Sequence, residues 1–408
     1  MTSGADRTRR LLSSRGLSRA VLCGALVAGG ASALARGASA NLTARCAETF
    51  DVAADYFPDK VRIEEAANFG VEYHKSYKLV TVREAGPERA SERYVLVQCG
   101  TPAPRLEGAL VGAQIVTVPI TSLFTSSSTH LSPLVDLERL DVLTGVSRLR
   151  ELQGDALESR VATGRVREFA PVSVIDAERV VAGRPSMLMT DGGSSAAVPM
   201  IRAAGIPVAA NTEWLESTAL ARAEWLKYMA LFLNEESRAQ ALYAAVKTRY
   251  RRLGARATAQ PESNRPLVMA GRATRGTFTI AGGRSYVAAL ITDAGGRYVW
   301  ADNPSVGAST VDLESQIARA SNADIWINGG GWSGLAAMLH DEPRYVAFKA
   351  FRHKQVWVYE RRLTATGSND YWSRSVSRPD IVLADLIKIF HPSLVPEHTL
   401  EWYMRVPD

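Results

Sequence analysis

The sequence predicts an α/β fold: two lobes of similar construction, joined by one long helix, with a cleft between them. Three observations carry this. Residues 174–193, VIDAERVVAGRPSMLMTDGG, show an Asp-x-Glu start, a short helix, an apolar strand and a closing Gly-Gly. Residues 310–331, TVDLESQIARASNADIWINGGG, repeat the pattern, with Glu178 lying 14 residues before Gly192 and Glu314 lying 15 before Gly329. Between the two copies runs a long amphipathic stretch, which suits a strut between related units.

That stretch is residues 234–257, NEESRAQALYAAVKTRYRRLGARA. Asn234 suits an N-cap, and Glu235 and Glu236 place negative charge in the first turn, where the helix dipole favours it. Ala239, Leu242, Tyr243, Val246 and Tyr250 recur at helical spacing as one apolar stripe. Lys247, Arg249, Arg251 and Arg252 suit the C-terminal turns, and Gly254 can close them. About twenty residues at 1.5 Å each span about 30 Å.

The flanking copies are read residue by residue in the same way. Asp176 caps a short helix that Arg184-Pro185 breaks, and Met187 to Thr190 is a buried strand. Asp312 caps the second short helix, and residues 323–328 are its strand. Residues 41–60 read as an extended arm. Residues 61–98 hold three β-rich runs, VRIEEA, YKLVTVRE and RYVLVQC, separated by charged turns. Residues 113–120 are a strand that runs into the polar loop 122–130. Residues 220–234 form an apolar helix. After the strut come a strand at 266–271, a Gly-rich hairpin at 276–283, a helix at 285–294 and strands at 298–300 and 356–359. An apolar helix at 379–390 is stopped by Pro392.

The 408 residues suffice for two domains with real cores. The net charge of +6 does not argue for nucleic acid. Residues 1–40 carry six Arg and one Asp, and the remainder holds 42 basic against 41 acidic residues, so no basic patch survives. Residues 1–40 read as a cleaved export signal: an Arg-rich start, a small apolar run and Ala38-Ser39-Ala40 before Asn41. Thr8-Arg9-Arg10-Leu11-Leu12 is a loose twin-arginine match, so Sec and Tat export both stay open. Cys23 lacks the small neighbour of a lipoprotein site and leaves with the signal. In an oxidising compartment the two remaining cysteines, Cys46 and Cys99, either pair or stay as separate thiols. The reading is a disulfide tying the arm to the first lobe.

Chemistry-bearing motifs are few. Gly329-Gly-Gly331-Trp-Ser-Gly334 fits G-x-G-x-x-G after a strand. No acidic residue follows at the dinucleotide spacing, so an NAD-type oxidoreductase is the alternative reading and a glycine turn facing a cleft the main one. Gly192-Gly-Ser194 lacks the last glycine of a nucleophile elbow, and Ser194 reads as a helix cap. The six His have no metal-ligand spacing, so no metal site and no catalytic group are expected. Ser128, Thr129 and His130 form the end of a polar loop. Phe278, Arg284, Trp332, Asn369, Tyr371 and Trp372 sit in loops where stacking and charge can hold a bulky ligand.

On these residues the chain resembles the substrate-binding proteins of ABC importers for iron complexes and cobalamin. The segments that carry the resemblance are AERVVAGRPSMLMTDG, TALARAEWLKYMALFLNEESRAQALY, ITDAGGRYVWAD, VDLESQIARASNADIWING and NDYWSRSVSRPDIVLADLIKIFHPSL. The resemblance implies two Rossmann-like lobes joined by one long backbone helix. Residues 41–233 form the N-terminal lobe with its arm, residues 234–257 the connecting helix and residues 258–408 the C-terminal lobe. It implies a monomer without a resident cofactor, which captures a metal chelate, foremost a ferric siderophore. Cleft residues vary with the ligand in this family, so ligand binding by Ser128, Thr129, His130, Arg284, Trp332, Asn369, Tyr371 and Trp372 is expected from their loops alone. The resemblance also implies that Glu178 and Glu314, one on each lobe, meet arginines of a dimeric permease. The expected location is periplasmic or otherwise extracytoplasmic. The long arm over residues 41–81 departs from the family pattern.

Overall fold

The computed structural model describes residues 39–83, 91–171, 174–193, 195–274 and 277–408. The leader up to Ala38, with Cys23, and Ser194 lie outside them. Three sheets organise these residues. The N-terminal lobe is built on five parallel strands in the order Arg167–Glu168, Leu143–Val146, Leu123–Thr125, Met187–Thr190, Val208–Ala210. Met187, Leu188 and Met189 are fully buried, as expected of a strand covered on both faces.

The C-terminal lobe repeats the plan. Its strands Leu267–Thr274, Ile325–Ile327 and Val356–Val358 are parallel neighbours, with Arg297–Tyr298 also parallel to the first. Antiparallel strands extend both edges: Thr277–Ala281 and Ala308–Asp312 on one, Met404–Arg405 on the other. The helix before each inner strand is capped as the sequence implies. Asp176 accepts the Arg179 N–H ahead of Ala177–Gly183, and Asp312 accepts the Ser315 N–H ahead of Leu313–Ala320.

The strut is the helix Glu236–Thr258, 23 residues or about 35 Å. It packs on Trp225–Leu233 of the N-terminal lobe and on Pro379–Phe390 of the C-terminal lobe. Ala239, Tyr243, Val246, Tyr250 and Ala257 are buried. Its start differs from the sequence expectation. Asn234 does not cap it; at φ +59 it closes the preceding helix in the left-handed region, which Asn tolerates. Its Nδ2 donates to Leu42 O and Gln98 Oε1, and its Oδ1 accepts from the buried Lys78 ammonium.

Residues 41–60 hold no helix or strand, and the β-rich runs YKLVTVRE and RYVLVQC beyond them form strands as read. Phe69–Tyr73, Tyr77–Arg83, Ser91–Gln98 and Gln114–Val118 form a separate four-stranded sheet. The run VRIEEA is not a strand. The N–H groups of Glu64, Glu65 and Ala66 donate to the buried Glu224 carboxylate at 2.7–3.0 Å, and Lys227 neutralises that carboxylate at 2.6 Å. With the donors of residues 64–66 drawn inward, this segment cannot run a ladder. Cys46 and Cys99 are disulfide-bonded, and Ala47 N–H donates to Cys99 O at 2.8 Å.

The lobes also meet along a seam away from the strut. Ser132 Oγ bonds Ser377 Oγ and Arg374 O, and Ser377 Oγ donates to Asp136. Ser368 Oγ donates to Glu151 O at 2.8 Å, and Gln153 Nε2 to Arg362 O at 3.1 Å.

Candidate functional site

Ligands of open α/β sheets bind beyond the carboxyl ends of the parallel strands. Here those ends carry Arg272, Asn328 and Tyr359, and all three line one cavity of about 450 Å³. That volume suits a ligand of several fused or linked rings. Tyr286, Tyr371 and Trp372 complete its aromatic wall, and Trp214 reaches it from the N-terminal lobe.

Local sequence explains the wall. Ser285 Oγ accepts the Ala288 N–H and donates to Gly282 O, which starts the helix Tyr286–Asp293 and sets Tyr286 at its first position. Asn369 Oδ1 accepts the Tyr371 N–H at 3.0 Å and caps Asp370–Arg374; its Nδ2 donates to Tyr359 O at 3.1 Å. Asn369 thereby stacks Tyr359 on Tyr371 at 4.5 Å between centroids, with Trp372 edge-on to Tyr371 at 5.1 Å. Asn328, at φ +60, has its Oδ1 fixed by the Tyr403 hydroxyl at 2.7 Å. Gly271, at φ +131, would drive any Cβ into Thr279 O of the adjoining strand. Burial pushes the Tyr359 phenol up to about 12 and the Tyr371 phenol higher still, so both are neutral hydrogen-bonding groups at neutral pH.

Behind the wall lies a buried ionic chain. Trp214 sits in the turn Glu213–Leu215, its Nε1 donating to Asp191 O at 2.9 Å. Its neighbour Glu213 holds Arg222, and the Arg222 guanidinium lies 4.3 Å from the Tyr286 ring centre. Burial alone would raise the Glu213 carboxyl; Arg222, with Thr129 and His130 beyond, overrides this and keeps it below the usual range. Burial works against the Arg222 charge in turn, and Glu213 more than restores it.

The sequence candidates separate into three groups. Tyr371 and Trp372 line the cavity, with Asn369 positioning them. Ser128, Thr129 and His130 form one turn that packs against the helix Asp370–Arg374, within the seam rather than at the cavity. His130 is 1% exposed, with Thr125 Oγ1 at 2.6 Å from its Nδ1, and burial lowers its pKa to about 4. Ser128 borders a crevice of only about 10 Å³, room for one water at most. Arg284, Trp332 and Phe278 do not line the cavity. Arg284 is exposed. Trp332 packs edge-on against Trp326 and Tyr345 and donates to Asp341. Phe278 is wholly buried against Trp326.

The glycine loop is not a free phosphate cradle. The Gly331 N–H donates to the Glu360 carboxylate at 2.8 Å, so an acid stands where a pyrophosphate would need an open donor. Glu178 and Glu314 are exposed in the first turns of their helices. Arg344 pairs with Glu314; no ion pair to Glu178 is found among the described residues. Sequence reasoning passed over Trp214, Arg272, Tyr286, Asn328 and Tyr359. The usable signal was position: Asn328 and Tyr359 directly follow strands, and Tyr286 directly follows the cap Ser285. Among the described residues no cluster of three or more His, Cys, Asp or Glu could hold a metal ion.

Two like α/β lobes, one helical strut and a cavity at the strand ends define a solute receptor. Residues 150–363 match the model of the periplasmic binding protein family. That is more than half of the chain, and the protein belongs to this family. Solved structures share the fold. A periplasmic binding protein from Veillonella parvula is 12% identical, with a TM-score of 0.56 over 77% of this chain and 98% of its own. A possible iron-binding, periplasmic solute-binding protein from Staphylococcus epidermidis is 15% identical, with a TM-score of 0.52 over 67% and 99%. A periplasmic heme-binding protein from Pseudomonas aeruginosa is 20% identical, with a TM-score of 0.51 over 67% and 94%. In sequence, an uncharacterised lipoprotein of Methanocaldococcus jannaschii is 27% identical over 122 residues, 30% of this chain and 28% of the relative's length. No helix among the described residues is long and apolar enough to cross a membrane.

Proposed function

We propose that this chain is the exported solute-binding component of an ABC importer and that its cargo is a metal chelate, first among them a ferric siderophore. The observation that carries the reading is the cavity at the strand ends, walled by Trp214, Tyr286, Tyr359, Tyr371 and Trp372 and bearing Arg272. Aromatic faces suit the flat periphery of a chelate, and a guanidinium suits its negative charge. Two proteins of the same fold, the possible iron-binding protein of Staphylococcus epidermidis and the heme-binding protein of Pseudomonas aeruginosa, support the same reading. The metal arrives as part of the cargo, so the protein needs only to bind and orient. Glu178 and Glu314, on matching helices of the two lobes, are the proposed docking carboxylates for two equivalent permease subunits. Export by a leader cleaved before Asn41 completes the reading.

The test is direct, because Trp214 and Trp372 border the cavity. Ferric hydroxamate, ferric catecholate, heme and cobalamin are titrated against tryptophan fluorescence and melting temperature. One of them should quench the emission and raise the melting point. If all four leave both unchanged, the metal-chelate reading fails while the family assignment stands.

A further inference from the structure

We propose that the structure contains a socket for the chain's own free α-amino group, built around Asp59 and paired in charge only when the peptide bond Ala40–Asn41 is cut. Ser39 and Ala40 are exposed, and Asn41 is the first buried residue among those described, at 7% exposure. Its backbone nitrogen lies 3.0 Å from Asp59 Oδ2. Its side chain closes the pair from both sides: Nδ2 donates to Asp59 O at 2.9 Å, and Asp59 N–H donates to Oδ1 at 3.0 Å. The same Nδ2 reaches Glu236 Oε2 at 2.8 Å, inside the first turn of the strut helix.

Charge accounting points to the missing group. Glu236 is neutralised by Lys78 at 2.6 Å, with both side chains fully buried. Asp59 has no cationic partner among the described residues, and its Oδ2 accepts from the nitrogen that cleavage would ionise. In the uncut chain that nitrogen is an amide with one proton. Hydrolysis consumes one water: the Ala40 carbonyl carbon takes the hydroxyl, and the Asn41 nitrogen takes the proton and a second one from solvent. The product is an ammonium with three donors beside a carboxylate that lacked a cation, and a salt bridge replaces a bond from a neutral amide donor. Cleavage at this bond thus locks the arm onto the strut, and cleavage elsewhere leaves Asp59 uncompensated.

The inference rests on the export reading only for how the cut arises, and the test keeps the two apart. Recombinant protein starting at Asn41 is compared with protein retaining Ser39-Ala40, each with and without Asp59→Asn. The Asn41 form should melt about 1–2 °C higher, and Asp59→Asn should erase that gap. Acetylating the Asn41 amine, which removes the charge without adding residues, should lower the melting point as the two-residue extension does. Equal melting points for the Asn41 and extended forms, or a gap that survives Asp59→Asn or acetylation, overturns the socket. N-terminal sequencing of exported protein reads the cut in the cell separately: a start other than Asn41 counts against the export reading and leaves the socket to the melting comparison.

Discussion

Glu213 and Arg222 are bonded twice inside the protein, Oε2 at 2.5 Å from Nε and Oε1 at 3.3 Å from Nη2. Both side chains are almost wholly out of water. Glu213 belongs to the N-terminal lobe, whereas the far side of Arg222 lies on Tyr286 of the C-terminal lobe. The pair therefore clasps the two lobes just behind the cavity wall.

Breaking one partner strands a buried charge. Arg222→Met should cost about 3–5 kcal/mol in urea unfolding, and Glu213→Leu made with it should recover most of the loss. A double variant no more stable than the single one would mean that the charges are not the reason for the loss.

His130 gives the protein an acid-sensitive step. Its pKa is lowered to about 4 in the fold by burial, against about 6.5 in an unfolded chain. Above pH 6.5 both states are neutral there and the contribution is complete. Below 6.5 the unfolded chain takes up a proton that the native state refuses, so stability falls as pH drops from 6.5 to 4. The loss from this residue reaches about 3 kcal/mol and then levels off. His130→Asn should flatten the slope of stability against pH between 6.5 and 4.5; an unchanged slope assigns it to other groups.

Trp214 and Trp332 should behave oppositely. Trp214→Ala removes a cavity-lining ring and should weaken chelate binding by about 1–3 kcal/mol with little change in melting point. Trp332→Ala opens the cluster with Trp326 and Tyr345 and should lower stability by about 1–3 kcal/mol while leaving affinity alone. Calorimetric titration and melting curves on both variants separate these outcomes.

Reducing Cys46–Cys99 releases a link between residues 53 apart in sequence. The chain-entropy model sets the loss at roughly 4 kcal/mol at most. Protein starting at Asn41 should show no alkylatable thiol, and Cys46→Ser with Cys99→Ser should unfold at lower urea. An unshifted midpoint would show that the bond contributes nothing to stability.

The docking proposal is checked by Glu178→Ala combined with Glu314→Ala. Ligand affinity should hold, because neither residue lines the cavity. Uptake should collapse, since paired charges of this kind govern orientation and association rate. Normal uptake by the double variant would remove both residues from that role.

Elements with strong local chemistry were legible in the sequence. The stripe from Ala239 to Tyr250, the caps at Asp176 and Asp312, and the buried run Met187–Thr190 follow from side-chain period and hydrogen-bonding preference. Asn234 was misread because a residue that caps one helix can equally end another. VRIEEA was misread because its pattern is that of a strand, and only Glu224, 158–160 residues away, diverts its donors. At the site, loop composition singled out Tyr371 and Trp372. Whether an aromatic residue faces a cavity or a core depends on which strand stands beside it, and a single sequence does not carry that for Trp332 or Phe278. Arg272 and Tyr359 owe their role to parallel strand ends meeting in space.

The seam through Ser132, Ser377, Ser368 and Gln153 bears on the thermodynamics of loading. A receptor whose halves swing freely must surrender that freedom each time it takes up cargo. Here the halves are already fastened when the chain folds, so the ordering cost falls on folding rather than on capture. Affinity then reflects little more than the fit of cargo to wall. Any release that parts the halves has these seam bonds to break, a cost set by the fold before cargo arrives.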